Sequence, residues 1–307
     1  MTCDAFLRWR YYFLDLPLFS CGGRSTSLER RLYRMCEQEI GSMEKGFTSL
    51  CDYLKRPVNG PDIKTFTQRA FWVKVVRESD AFTSLRMSKN KLSRYFRVEG
   101  IGNLASVADG QRPVVLLSSH CGSYYTAAIA LAHLGYRVYP VARSVDTSPA
   151  TPRLTRYYVK LNYRFSEMRL SSRYIYTNYS GKIDREIVTI AKNGGVFWAA
   201  IDHPRRLYNI KRRPVTFFGM EATLPAGIIS WALRRDAVFL TAWNGIEGID
   251  EKRFYRRLVI DGPIWGTNAD SILQQYADRL SKRVAAEPWQ WLALQVIHQF
   301  FEKEKDN

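Results

Sequence analysis

Apolar positions fall into two regimes along the chain. Up to about residue 105 they recur at roughly helical spacing, as in Ser27 to Phe47 (SLERRLYRMCEQEIGSMEKGF) and again from Thr65 to Tyr95, so this part is predicted to be mostly helical. From Val114 onward, short apolar runs alternate with helix-period segments. Strands are predicted at Val114–Ser118, Tyr136–Ala142, Val196–Ile201, Pro214–Phe217, Ala237–Trp243 and Phe254–Ile260. Helices are predicted at Tyr124–Leu134, Pro152–Leu161, Asp184–Lys192, Ala226–Leu233 and Ala269–Ala285. The alternation predicts an α/β fold, a mixed central sheet flanked by helices with a helical N-terminal layer. Residues 1–105 and 106–300 are the two regions of that plan, read as one compact unit with no internal repeat, long linker or low-complexity tract.

The most informative stretch is PVVLLSSHCGSYYTAAIALA, Pro113 to Ala132. Its apolar, β-branched start reads as a buried strand, and His120 falls where that strand gives way to a helix. Ligands of open α/β sheets bind at the carboxyl ends of strands, where loops and helix N-termini converge. The small residues Cys121-Gly122-Ser123 let a substrate come close to His120. Of the other histidines, His133 and His298 sit on predicted helices without polar company, whereas His203 follows Asp202 at a second strand end.

Composition narrows the partners. Basic residues number 46 against 29 acidic, a formal net charge of +17, which favours anionic membrane surfaces, acidic carrier proteins or nucleic acid. The basic residues are scattered rather than grouped with stacking aromatics in a recognisable module, which argues against nucleic acid. Five cysteines at irregular spacing form no CxxC or Cys/His ligand set, so no metal site is expected and the thiols read as reduced. The first twenty residues carry Phe6, Trp9, Tyr11, Tyr12, Phe13, Leu14, Leu16, Leu18 and Phe19 interrupted by Arg8, Arg10, Asp15 and Pro17. That pattern is too charged to span a bilayer. It suits either the membrane interface or a helix docked on the protein's own core.

Four polar sites punctuate the predicted strand ends and are expected to gather into one crevice. They are Ser118-Ser119-His120; Arg143 in PVARSVDTSP, a guanidinium suited to phosphate or carboxylate; Asp202-His203 followed by Arg205 and Arg206; and PVTFFGMEATLPAG, where Gly219 and Gly227 flank a turn before a helix.

These blocks resemble those of the lipid A biosynthesis acyltransferases, which add lauroyl or myristoyl chains, within the lysophospholipid acyltransferase superfamily. HCGSYY resembles the family's histidine block, PVARSVDTSP its arginine block, GGVFWAAIDHPRR its aspartate block, and RRPVTFFGMEATLPAG its Phe-Phe-Gly turn. EPWQW, Glu287 to Trp291, resembles its Pro-x-Gln-Trp signature. The likeness runs from about Phe71 to Trp291 and implies the superfamily's sheet.

It also implies that His120 is a general base. The base would take a proton from an acceptor hydroxyl that attacks the thioester of acyl carrier protein or coenzyme A, with no other cofactor. Arg143 and the region of Asp202, His203 and Arg205 would line the acceptor or phosphate site, with Gly219 at the turn. Backbone amides near Gly122 and Ser123 are candidate oxyanion donors.

One position departs from the pattern: where the family has His-x4-Asp or His-x4-Glu, this chain has Tyr125. Three readings follow. Another acid, Asp202 or Asp146, replaces the missing one; Tyr125 orients His120 for an easier acceptor such as an amine; or the chain has lost catalysis and binds carrier protein or lipid as a partner. The expected setting is the cytoplasmic face of the inner membrane, peripherally held, with a lipid, glycolipid or specialised small molecule as acceptor.

Overall fold

A computed structural model describes residues 3–23, 25–54, 62–143, 152–177, 185–204, 211–251 and 253–301. The first described residues form a continuous helical run: α1 (Cys3–Arg10), a π-helical turn (Tyr11–Asp15) and α2 (Leu16–Ser20). Helix α3 (Thr26–Tyr53) starts where the Ser25 hydroxyl accepts the Leu28 amide, a side-chain N-cap. Its Leu28, Leu32, Cys36, Ile40, Met43, Phe47 and Leu50 form one buried stripe at three- and four-residue spacing. Helix α4 (Ile63–Arg86), capped by Asp62, is buried on most of its circumference and packs against α2 and α3. A short helix α5 (Leu92–Tyr95) leads into the sheet.

Among the described residues nine strands follow. They are β1 (Phe96–Glu99), β2 (Val114–Ser118), β3 (Val138–Arg143), β4 (Ile175–Thr177), β5 (Val196–Ala200), β6 (Arg212–Phe217), β7 (Met220–Pro225), β8 (Val238–Glu247) and β9 (Tyr255–Ile264). Seven make one sheet in the order β1-β9-β8-β2-β5-β3-β4, parallel at every pairing except the antiparallel β8–β9, and β6–β7 form a separate hairpin. The fold is therefore mixed α/β with a mostly parallel central sheet.

Helices α6 (Ile101–Ala105), α7 (Tyr124–His133), α8 (Arg153–Glu167), α9 (Arg185–Lys192), α10 (Gly227–Leu233) and α11 (Ala269–Ala286) complete it. The two faces of the sheet are buried in separate cores. Val114, Leu116, Val196 and Trp198 face α7, while Val115, Leu117, Phe197 and Ala199 face the core shared with α3, α4 and α11. Burial on both faces explains why β2 reads as an unbroken apolar run rather than an alternation.

Several boundaries differ from the sequence expectation. The helical zone expected from Thr65 to Tyr95 is divided into α4, a 3₁₀ turn at Lys89–Lys91 and α5, and Phe96–Glu99 becomes an edge strand on β9. Strands β4 and β7 were not expected: the first is three residues long, and the second carries Glu221 and ends at Pro225. The chain after Trp291 forms 3₁₀ turns over Leu292–Phe300.

The helical layer and sheet are tied by a buried ion pair. The Arg256 guanidinium on β9 donates from Nε to Asp80 Oδ1 on α4 at 2.9 Å, and both residues are at most 5% exposed. Truncating one partner strands a buried charge. Asp80→Ala is expected to lower the unfolding free energy by about 3–5 kcal/mol in a urea titration, and Asp80→Leu with Arg256→Met to cost far less.

Candidate active site

Strand pairing builds the site. Parallel β2 and β5 are adjacent and aligned so that Ser118 faces Ala200, and the Ile201 amide continues the ladder to the Ser118 carbonyl at 3.1 Å. Two residues past each paired position stand His120 and Asp202, at the carboxyl ends of neighbouring strands. Their side chains meet: His120 Nδ1 lies 2.7 Å from Asp202 Oδ1. The other oxygen, Asp202 Oδ2, accepts the His120 backbone amide at 2.8 Å and the Trp291 indole Nε1–H at 2.8 Å.

Asp202 is fully buried, which pushes its carboxyl up, yet the His120 imidazole, its hydrogen bonds and His203 outweigh burial and hold it below the usual carboxylate range. An ionised carboxylate only accepts, so the proton of the shared bond sits on Nδ1. Nε2 is then left as the basic nitrogen of a side chain that keeps 22% of its surface exposed.

The C-terminal signature is the scaffold of this pair. Residues 121 and 291 form an isolated antiparallel bridge, with the Gly122 amide donating to the Gln290 carbonyl at 2.8 Å and the Leu292 amide to the His120 carbonyl at 2.9 Å. The Gln290 side chain clamps both backbone groups of Ile246 on β8. Tyr276 on α11 donates its hydroxyl to the Ser118 carbonyl at 2.7 Å. Gly122 has φ +46°, and a Cβ there would lie 2.8–3.0 Å from the Gly245 backbone, so only glycine lets the loop after His120 pack against β8.

Of the other expected site residues, the structure brings some to His120 and leaves others elsewhere. The His203 ring packs edge-on to the His120 ring with centroids 4.8 Å apart, and its carbonyl accepts Arg212 at 2.7 Å. Tyr125 does not meet the imidazole; Tyr124 does, at 5.0 Å, and Tyr125 stacks behind it at 4.2 Å. The orienting partner of His120 is thus the Asp202 carboxylate rather than the Tyr125 phenol.

Ser119 is buried and donates its hydroxyl to the Cys121 sulfur at 3.1 Å, so it faces the core rather than a substrate. Ser123 is buried at the start of α7. The Gly122 amide, expected as an oxyanion donor, is engaged by Gln290. Arg143 ends β3 at the same sheet edge. Arg205, Arg206 and Asp146 lie outside the described residues. Gly219 lies in the β6–β7 turn, lining an open cleft with Asp52, Tyr53, Ser281 and Lys282, while the neighbouring Phe217 and Phe218 rings meet Trp291 at 5.8 and 6.0 Å.

Burial pushes the Cys121 thiol up, which unsuits it as a nucleophile. Cys21, Cys36, Cys51 and Cys121 are free thiols. Among the described residues no group of three or more His, Cys, Asp or Glu side chains is placed to hold a metal ion. The supporting residues that sequence reasoning did not single out are Tyr124, Arg212, Gln290 and Trp291. The last two lie in EPWQW, so that signature was the available signal.

Compared with protein-family models and with curated proteins, the chain matches none.

Two outcomes follow from the Asp202 hydrogen bonds. Trp291→Phe removes one donor from a buried carboxylate and is expected to lower stability by about 1–3 kcal/mol in chemical denaturation. Because the folded carboxyl titrates below its unfolded value, its stabilisation is present above about pH 4 and lost as pH falls through the folded value. Asp202→Asn is therefore expected to flatten the fall in melting temperature below pH 4; an unchanged acid limb would contradict this.

Proposed function

We propose that this chain is an acyltransferase of the lipid A late-acyltransferase kind, built on the lysophospholipid acyltransferase sheet. It would move an acyl chain from the thioester of an acyl carrier protein or coenzyme A to a hydroxyl or amine of a lipid, glycolipid or specialised small-molecule acceptor. The observation that carries this reading is the His120–Asp202 pair at adjacent strand ends, with Nε2 directed away from its carboxylate. Asp202, just past the end of the neighbouring strand β5, would stand in for the motif acid absent at Tyr125 on α7.

The chemistry needs little else. A thioester is already activated, so deprotonation and orientation of the acceptor suffice without a covalent enzyme intermediate. His120 Nε2 takes the acceptor proton as the acceptor oxygen or nitrogen adds to the thioester carbonyl. The tetrahedral intermediate then expels the thiolate. The imidazolium returns the proton to sulfur, giving ester or amide plus free carrier thiol. Asp202 keeps Nδ1 protonated and offsets the transient positive charge on the ring, a task a neutral phenol does poorly. The basic balance of the chain, 46 against 29 residues, suits an acidic carrier as donor.

The test is release of free thiol from a panel of acyl carrier protein and coenzyme A thioesters, with membrane extract supplying acceptors. Wild type is expected to turn over, His120→Ala to fall to background, and Asp202→Asn to lose about 10²–10⁴-fold in kcat. Carrier binding without turnover in the wild type would instead assign the chain to a non-catalytic partner role.

A further inference from the structure

The first helical run and α8 share a half-exposed apolar surface. Five large apolar side chains, Phe6, Trp9, Leu14, Leu18 and Tyr157, are each between 40% and 58% exposed. They are not scattered. Phe6 stacks on Trp9 (6.4 Å between centroids), Trp9 meets Phe13 (6.4 Å), and Phe13 meets Tyr157 on α8 (6.1 Å), so one aromatic row crosses from the first helix to the eighth. Leu14 and Leu18, four residues apart, extend the apolar exposure along the same helical run. The opposite side of that run is its anchor: Tyr11, Tyr12, Leu16 and Phe19 are buried.

Basic side chains accompany the row. Helix α8 bears Arg153, Arg156, Lys160 and Arg164 against a single acid, Glu167, which accepts the Tyr174 amide. On the first helices Arg8 pairs with Asp4, and Asp15 is buried beneath Arg10 and Arg31. The charge left over is positive.

We infer that this two-helix face seats the chain on an anionic phospholipid bilayer. Half-exposed Trp, Phe, Tyr and Leu side chains bounded by Arg and Lys match the amphipathic boundary between headgroups and acyl chains, where aromatic rings insert and cations meet lipid phosphates. Among the described residues no helix is long and apolar enough to cross a membrane, so attachment through this face would be interfacial.

Helix α8 also leads from this face to the candidate active site. Tyr163, on the same α8, meets Tyr125 at 5.9 Å, Tyr125 meets Tyr124 at 4.2 Å, and Tyr124 abuts His120 at 5.0 Å. An acceptor held in the interface beside α8 would lie at one end of this tyrosine row and the imidazole at the other. The docking face stands independently of the acyl-transfer reading, because lipid binding is measured without turnover.

The test is co-sedimentation of the full chain with vesicles of phosphatidylcholine alone or with about 30% phosphatidylglycerol, at low and high salt. Binding is expected to be about tenfold stronger on the anionic vesicles and to weaken with salt. Phe6→Ser with Trp9→Ser is expected to weaken it about tenfold, with circular dichroism and thiol release from soluble substrates unchanged. Arg153→Glu with Lys160→Glu is expected to abolish the preference for anionic vesicles. Absence of vesicle binding, or binding indifferent to both double variants, would overturn the inference. A wild-type dimer by light scattering that Phe6→Ser/Trp9→Ser converts to monomer would assign the face to a second copy instead.

Discussion

The buried Asp202 carboxylate is the point on which the site depends. One oxygen takes the His120 imidazole, and the other takes both the His120 amide and the Trp291 indole. Three separate parts of the chain, the ends of β2 and β5 and the C-terminal signature, therefore converge on two oxygen atoms. A buried anion is tolerated only when its hydrogen bonds are complete, and here the donors that complete them also fix the base. The requirement that stabilises the charge is thus the same one that orients the ring.

The support extends outward by backbone contacts rather than by further charges. Gln290 fastens the signature to β8, Gly122 allows the loop after His120 to lie against Gly245, and Tyr276 holds the last carbonyl of β2. On the other side of α4, the Asp80–Arg256 pair joins the helical layer to β9. The histidine is therefore carried by rigid strand ends, which is where a base must be if its geometry is to persist through a reaction.

Much of this was legible in the sequence, for identifiable reasons. Strands β2, β5 and β8 are apolar because both sheet faces are covered, and an unbroken buried run is a strong signal. Strands β1, β4 and β7 were missed because they are short or carry charged residues and proline, so their pairing comes from neighbours rather than from their own composition. His120 and Asp202 were each recognisable as polar residues closing an apolar strand. Their contact was only one of three readings open at position 125, because it depends on β2 and β5 being adjacent and in register, and strand order is a property of the whole sheet. For the same reason Ser119 and the Gly122 amide looked available when the local fold engages both, and the strand-end crescent did not include Gly219, which sits on a separate hairpin.

The dependence of the site on Asp202 is tested most directly at the Nδ1–H of His120, read by ¹⁵N-histidine NMR and assigned through His120→Gln. The expected result is a proton on Nδ1, seen as a strongly downfield N–H that disappears in Asp202→Asn. A ring whose sole proton is on Nε2, or an Nδ1 signal indifferent to Asp202→Asn, would show that the carboxylate does not hold the ring.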